Sequence, residues 1–239
     1  MKKRFSLAIS LSVLLTIFSA CIFLGPSIKG NGHVTTEYRE VGDFDEVKVS
    51  TGMKVVLVQS DKNLITVEAD ENLHEVIKTE LKRDELNIFS EERIKKAKKL
   101  LITVEFNRIE KLTSSSGAMV STDDLIHLKD FSTKASSGSQ QNLGVNAQNL
   151  QARASSGSHI KLNGKAEKVD LKASSGAHIK GSGLVTEDCF ADVSSGAHIY
   201  IDVTNEFEGE ASSGGHIYYS GSPSTVSINE SSGGNIRKQ

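Results

Sequence analysis

Four histidines recur at one position of a repeated pattern, and imidazole is a common metal ligand that also exchanges protons near neutral pH. They stand two residues after a repeated glycine, at His159, His178, His198 and His216. If the repeats stack, the four rings form a straight ladder, whereas zinc needs ligands that converge on one point. No Asp or Glu joins the column. The pattern favours structural stacking over adventitious or dedicated metal binding, and it predicts no metal site and no cofactor.

Two tyrosines lie two residues beyond the last two of these histidines, at Tyr200 and Tyr218. Aromatic side chains with a polar tip can stack on sugar rings or contact proteins. The sequence therefore predicts a candidate binding face for a glycan or a protein ligand, formed by His159, His178, His198, His216, Tyr200 and Tyr218. The alternative is that these are ordinary residues of a sheet surface.

Carboxylates that could serve a polysaccharide-cleaving enzyme are scattered. Asp170, Asp192 and Glu210 fall on neighbouring repeats but not in one register. Basic residues occupy the same columns, as is typical of a solvated face. No serine stands in a recognisable arrangement with a histidine and an acid. The chain is therefore predicted to have no catalytic residues and not to be an enzyme, with a lyase or hydrolase as the weaker alternative.

A Ser-Ser-Gly repeat must position these side chains. It occurs seven times in the 239-residue chain, with gaps of 21, 19, 19, 20, 18 and 19 residues between glycines, which are Gly117, Gly138, Gly157, Gly176, Gly196, Gly214 and Gly233. Self-similarity at a near-fixed period is the signature of a solenoid. A period of about 19 residues accommodates two short strands and two turns. Glycine suits a tight turn because it tolerates left-handed backbone conformations.

Apolar residues alternate with other residues on both sides of each glycine, as in Val169, Leu171 and Ala173 before Gly176 and in Ile179 after it. Alternation with a period of two places one side of each strand inward. Equal turns on successive repeats imply parallel stacking at about 4.8 Å per coil. The sequence predicts an all-β fold, a flattened parallel β-helix with about 19 residues per coil; a sandwich or propeller is the alternative.

Composition narrows the choice of function. The formal net charge of -2 excludes a general electrostatic binder of nucleic acid, which needs a basic surface. The lack of Trp and an aromatic content of 5% suit a thin core of small aliphatic residues. Cys189 falls at an inward position and is expected to be an inert core thiol.

The beginning of the chain has the layout of a secretory signal. Lys2, Lys3 and Arg4 precede an uncharged, mostly apolar stretch that ends at Cys21. Small residues before this cysteine resemble the lipobox of bacterial lipoproteins, in which the cysteine carries the lipid. An uncleaved apolar anchor is the alternative. Both interpretations place the rest of the chain outside the cytoplasm.

Four segments follow from these patterns: a lipoprotein signal peptide at 1–20, a tether at 21–33, irregular β coils at 34–112 and regular Ser-Ser-Gly coils at 113–239. Residues 34–239 are expected to be one continuous domain. Glu230 replaces the small inward residue of the last coil, so that end is expected to be capped by charge or to pair with another chain.

Three features resemble the head GIN domain family of adhesin-like envelope lipoproteins. They are the opening segment 42–49, the strand and turn at 55–61, and the series of small-Ser-Gly turns. The resemblance covers about residues 38–239. It implies a right-handed, pectin-lyase-like β-helix and a role in adhesion, and it brings no established catalytic residues.

Together these patterns predict a non-enzymatic lipoprotein of the bacterial cell envelope, anchored by lipid at Cys21 and outside the cytoplasm, with the outer membrane as the expected site. Its predicted partners are the membrane and a glycan or protein ligand, with no nucleic acid and with oligomers formed by end-to-end coil pairing. The alternative is a periplasmic envelope protein with a structural or sensing role.

Overall fold

The computed structural model describes residues 26–239, and almost all of its regular structure is β. One 3-10 helix, Glu71–Leu73, lies in this range. The first nine strands are β1 Ser27–Lys29, β2 Val34–Glu40, β3 Glu46–Val49, β4 Lys54–Gln59, β5 Leu64–Asp70, β6 Ile77–Lys82, β7 Glu85–Ser90, β8 Arg93–Lys96 and β9 Leu100–Phe106. The other ten are β10 Lys111–Ser114, β11 Met119–Thr122, β12 Ile126–Ala135, β13 Gln140–Ala154, β14 His159–Ala173, β15 His178–Val193, β16 His198–Ala211, β17 His216–Gly221, β18 Thr225–Glu230 and β19 Asn235–Lys238.

The chain is wound into a parallel β-helix of about 7 turns with about 19 residues per turn, which confirms the fold predicted from the repeat. Strands β13 to β16 each run from one Ser-Ser-Gly turn to the next and pair in parallel with the following coil. Each of these long strands is therefore one coil. The coil bends at the edge opposite the turns, where Gly164 has a φ of 113° and the pairing shifts register around 181–185.

The beginning of the solenoid is closed by strands of opposite direction. Strands β3 and β4 form a coil that stacks in parallel on β10 and β11. On the other side of that coil lie β7 and β9, also in parallel. Beyond them, β6 runs antiparallel to β7, β5 runs antiparallel to β9, and β2 runs antiparallel to β5. Antiparallel strands thus form the outermost layer of both sides at this end.

The core is a stack of inward-facing aliphatic residues, one layer per coil. Ile160, Ile179, Ile199 and Ile217 are 0–1% exposed, and they are in register from coil to coil. Burial of each such side chain stabilises the fold by about 1.5–3 kcal/mol. Cys189 lies in the inward column between Val169 and Phe207, as expected.

One layer of the core is polar, because Gln141 replaces the usual isoleucine. Its amide nitrogen donates hydrogen bonds to the Ser114 hydroxyl (2.9 Å) and the Lys134 carbonyl (3.0 Å), and its amide oxygen accepts one from Thr133 (2.5 Å). Buried polar groups destabilise a core unless they are paired. Here every partner comes from an adjacent coil or strand, so both the oxygen and the nitrogen of the Gln141 amide have hydrogen-bond partners.

Residues 26–33, which precede β2 and lie within the expected tether 21–33, contact the rest of the solenoid. Strand β1 pairs with β8 in a two-stranded parallel sheet. The buried carboxylate of Asp70 accepts hydrogen bonds from the backbone N–H groups of Gly32, Lys98 and Lys99 at 2.8–3.1 Å. Burial alone would raise the pKa of Asp70, but these hydrogen bonds outweigh it and lower the pKa. A charged carboxylate thus joins this segment to the end of β5.

Candidate functional site

The turns that carry the candidate site share one backbone geometry. In the turn before β15, Ser175 and Gly176 have φ values of 52° and 67°, and the Ala177 N–H donates to the Ser174 carbonyl at 3.2 Å. Positive φ at both central residues defines a type I′ turn. Successive turns are also joined, since the Gly176 N–H donates to the Ser195 carbonyl of the next coil at 3.0 Å. The turns therefore form a regular edge along the solenoid.

An eighth turn of the same kind was missed by the sequence analysis. Thr51 and Gly52 have φ values of 52° and 71°, and the Met53 N–H donates to the Ser50 carbonyl at 3.2 Å. The Gly52 N–H donates to the Ser116 carbonyl, which places this turn next in the row. A search for Ser-Xaa-Gly in place of Ser-Ser-Gly would have found it. Its recognition extends the side-chain columns into the first part of the chain.

We call the outward surface that follows the turns the histidine face. Its first column stands two residues after each turn glycine and comprises Lys54, Met119, Gln140, His159, His178, His198, His216 and Asn235. Its second column stands four residues after and comprises Val56, Ser121, Asn142, Lys161, Lys180, Tyr200, Tyr218 and Arg237. Neighbours within each column are partners in strand register.

The four histidines form a continuous ring stack. Centroid distances are 5.0 Å from His159 to His178, 4.9 Å from His178 to His198 and 5.2 Å from His198 to His216. The corresponding interplanar angles are 8°, 3° and 19°. These spacings follow the distance between parallel strands. The backbone register therefore sets the stack.

Stacking disfavours protonation of the central rings. Burial lowers the pKa of His178, and the neighbouring charges of His198, His159 and Lys180 lower it further. The pKa of His198 is lowered by burial and by His216. The Nδ1 atoms of His198 and His216 are buried without a hydrogen-bond partner among the described residues.

The tyrosines continue the aromatic surface in the second column. The rings of Tyr200 and Tyr218 stack with centroids 4.9 Å apart and planes 13° from parallel, and Tyr218 lies 6.3 Å from His216. The structure thus places all six residues of the candidate binding face on one surface, in two adjacent columns. Their role in binding stays a prediction.

A groove crosses the part of the histidine face that lies toward the N-terminal end. It has a volume of about 590 Å³, and its lining includes Lys54, Met119, Gln140, His159, Lys161 and His178. Met119 is 43% exposed and offers an apolar surface within this polar set. Lys54 was not predicted for the face because the turn before it went unrecognised, whereas Met119 and Lys161 follow recognised turns and were not chosen because only the histidines and tyrosines were taken as binding residues.

The outward carboxylates that were considered for catalysis lie on the other side of the coils. Asp170 pairs with Arg153 at 3.4 Å and Asp192 with Lys172 at 3.8 Å, in both cases across neighbouring coils. These are cross-strand ion pairs on a sheet surface, which contribute little to stability. Side chains of both charges thus lie along this side of the solenoid, which we call the paired face and on which Lys134, Arg153, Lys172, Asp192 and Glu210 are successive register partners.

Metal binding has no support in the side-chain geometry. Within residues 26–239, no three His, Cys, Asp or Glu side chains converge on a point where they could hold an ion. The histidine rings stack face to face, so their nitrogens do not aim at one centre.

Burial and the charge of Asp170 strongly raise the pKa of the Cys189 thiol, so it is not a nucleophile at neutral pH.

The predicted lipidation site, Cys21, and the signal peptide lie outside the described residues. In the part of the chain that the structure covers, no helix combines the length and the apolarity needed to cross a bilayer.

Comparison with known proteins identifies the architecture. A search of curated proteins finds no match. Among solved structures, a "putative adhesin" from Bacteroides fragilis is 17% identical with a TM-score of 0.82, covering 89% of this chain and 100% of its own. A "putative adhesin" from Parabacteroides merdae is 16% identical with a TM-score of 0.71, covering 90% and 99%. A "putative lipid binding protein" from Parabacteroides distasonis is 18% identical with a TM-score of 0.69, covering 89% and 99%.

These structures share the fold at low identity. The family comparison is more specific, since residues 43–223 match the family described as "Putative auto-transporter adhesin, head GIN domain". The match spans most of the chain and includes the histidine stack, the tyrosine pair and all but the last of the turns. The chain belongs to the head GIN domain family.

Proposed function

We propose that this protein is a lipid-anchored adhesion module of the bacterial cell envelope, which binds its ligand on the histidine face without transforming it. The observation that carries the proposal is the aromatic surface formed by the four stacked histidines and the Tyr200–Tyr218 pair. Rings stacked in this way present their edges and polar tips outward, and a surface that combines apolar and polar groups suits a glycan or a protein. The adhesin family of the chain supports the same role.

That the protein leaves its ligand chemically unchanged is proposed from the ion pairs of its carboxylates and from the burial of its thiol. Asp170 and Asp192 are engaged in ion pairs on the paired face. The thiol of Cys189 is buried and protonated at neutral pH. We expect incubation with acidic polysaccharides to release no unsaturated sugars and no reducing ends. Release of either product would support the lyase or hydrolase alternative.

Anchoring is proposed through lipid on Cys21. Only six chain steps separate Cys21 from Ser27, the first residue of β1, so they span about 20 Å at full extension. The N-terminal end of the solenoid would then stay close to the membrane. We expect Cys21→Ser to abolish metabolic labelling with a fatty acid and to release the protein from the membrane fraction. A wild-type chain that takes up no label, together with a Cys21→Ser variant that stays in the membrane fraction, would favour an uncleaved apolar anchor.

Surface exposure separates the adhesin from a periplasmic structural or sensing protein. Protease treatment of intact cells should degrade a surface adhesin and spare a periplasmic protein. A periplasmic marker protein that remains intact in the same cells is the control. Full protection of this chain would favour the periplasmic alternative.

The ligand surface is tested with an array of glycans and matrix proteins. We expect the variant Tyr200→Ala/Tyr218→Ala to lose the binding that the wild-type chain shows. The matched control is Tyr38→Ala, since Tyr38 is 72% exposed on β2 at the antiparallel end of the solenoid. Binding that survives the double substitution would remove the histidine face as the ligand surface.

A further inference from the structure

The histidine face differs from the paired face in its charge. Its two columns contain the cationic residues Lys54, Lys161, Lys180 and Arg237 and no carboxylate. None of the ion pairs formed by the described residues includes Lys54, Lys161 or Lys180, whereas Arg153 and Lys172 on the paired face both have carboxylate partners. The positive charge of the histidine face is therefore not neutralised within the solenoid.

Two of these lysines are direct neighbours. Lys161 and Lys180 are register partners on adjacent coils, and both side chains are exposed. Like charges directly opposite each other on neighbouring strands are destabilising. On the paired face Lys134, Arg153 and Lys172 are also register neighbours, but Arg153 and Lys172 there have the carboxylate partners Asp170 and Asp192. An anionic ligand would supply the missing counter-charge between Lys161 and Lys180.

The groove also contains hydrogen-bonding and apolar side chains, both of which a sugar can contact. Gln140 and His159 offer hydrogen-bonding side chains, and Met119 offers exposed apolar surface beside them. Farther along the solenoid axis, the Tyr200–Tyr218 pair presents stacked rings in the same column as the lysines. Sugar rings combine apolar faces with polar edges, and aromatic side chains match that combination.

The arrangement is linear. The columns run from coil to coil along the axis, and the histidine rings repeat at 4.9–5.2 Å. A row of equivalent groups at a constant spacing suits a polymer with repeated units better than a compact ligand.

We propose that the histidine face binds a linear acidic polysaccharide along the solenoid axis. This inference rests on the proposed function and names the class of its ligand. Its carboxylate or sulfate groups contact Lys161 and Lys180 through charge-assisted hydrogen bonds. Its sugar rings lie over Met119 at one end and against the ring edges and hydroxyl groups of Tyr200 and Tyr218 at the other.

The test measures binding of the full chain to polygalacturonate and to chondroitin sulfate by calorimetry, with uncharged dextran as the neutral probe. The face variant is Lys161→Gln/Lys180→Gln. The matched control is Lys134→Gln/Lys168→Gln, which removes the same charge from exposed positions on the paired face. We expect the face variant to bind about tenfold more weakly, since two charge-assisted contacts are lost, and the control to bind like the wild-type chain. Binding should weaken as salt is added.

Several results would overturn the inference. Equal losses in the face variant and the control would indicate unspecific attraction of a polyanion. Equal binding of dextran and polygalacturonate would remove the acidic group from recognition. Binding of vesicles containing phosphatidylglycerol, lost in the face variant and without polysaccharide binding, would assign the lysines to lipid headgroups. The adhesion proposal would survive each of these results if an array ligand is still lost with Tyr200→Ala/Tyr218→Ala.

Discussion

The imidazole rings of His178 and His198 are stacked nearly in parallel, with centroids 4.9 Å apart and an angle of 3° between their planes. Each ring has a second stacked neighbour, His159 below and His216 above. Protonation of one ring would place a charge against the next ring and, for His178, beside Lys180. The stack is therefore a neutral structure that acid should weaken.

The first prediction concerns pH. Since burial and neighbouring charges lower the pKa of His178 and His198 in the folded chain, the unfolded chain binds protons first as pH falls. Stability from these residues is therefore present above the unfolded pKa, about 6.5, and is lost as pH falls below it. We expect the urea midpoint of the wild-type chain to fall between pH 7.5 and pH 5.5, and the midpoint of His178→Gln/His198→Gln to fall less.

Proton NMR titration provides the direct check, with both histidines titrating below the ordinary value. The single substitution His127→Gln is the control, because His127 is exposed and outside the stack. Equal pH dependence in the double variant and the wild-type chain would show that the stack does not resist protonation.

The second prediction concerns the type I′ turns. A β-carbon in a left-handed conformation costs about 1–2 kcal/mol, and glycine avoids that cost. Gly176 has a φ of 67°, so we expect Gly176→Ala to lower the free energy of unfolding by about 1 kcal/mol. Ser175 has a φ of 52° although it is not glycine, and asparagine tolerates this region better.

Ser175→Asn should accordingly raise the free energy of unfolding by a few tenths of a kcal/mol. Urea titration of the two variants and the wild-type chain measures both effects. The same sign for both substitutions would contradict the turn geometry.

The coils could be predicted from the sequence because a short, local pattern marks each of them. A type I′ turn needs residues that accept positive φ, and strands on either side need alternation, so Ser-Ser-Gly with its apolar flanks identifies each coil. The same reasoning passed over Ser50-Thr51-Gly52, in which threonine takes the left-handed position in place of serine. A β-branched residue at positive φ is rare, and the pattern gave no reason to expect one.

The alternation of apolar residues could not predict the direction of the strands. Strands β5 and β6 alternate like the others, yet they pair antiparallel to β9 and β7. Alternation determines which side chains face inward but carries no information on whether the neighbour runs the same way. The histidine column was predictable because equal spacing from the glycine fixes register, whereas the end of the groove at Lys54 and Leu101 was not, because only the unrecognised turn brings Lys54 into the column.

The third prediction concerns the thiol of Cys189. It is buried in an inward column, and burial together with the nearby Asp170 raises its pKa. We expect an aromatic disulfide reagent to leave Cys189 unmodified in the folded protein and to label it fully in denaturant, as followed by mass spectrometry of the peptide that contains it. Rapid labelling under native conditions would contradict its burial. Cys189→Ser tests for labelling at any other position.

The last prediction concerns the C-terminal end of the solenoid, where the last described coil is left uncovered. Val226 and Ile228 of β18 are in register with the inward residues Phe207 and Gly209, yet they are 44% and 45% exposed. The opposite end of the solenoid is closed by antiparallel strands. An edge strand with exposed apolar side chains can pair with another chain.

We therefore expect concentration-dependent self-association of the full chain through β18 and β19, measured by sedimentation or light scattering. The contact is small, since these strands have only 6 and 4 residues, so monomers should dominate in dilute solution. Val226→Lys should keep the chain monomeric at high concentration, because it places a charge on the apolar edge. The matched control is Val185→Lys, since Val185 is equally exposed, at 44%, on the side of the solenoid and should leave association unchanged. A wild-type chain that stays monomeric at every concentration would contradict end-to-end pairing, and an equal effect of both substitutions would move the contact away from the last coil.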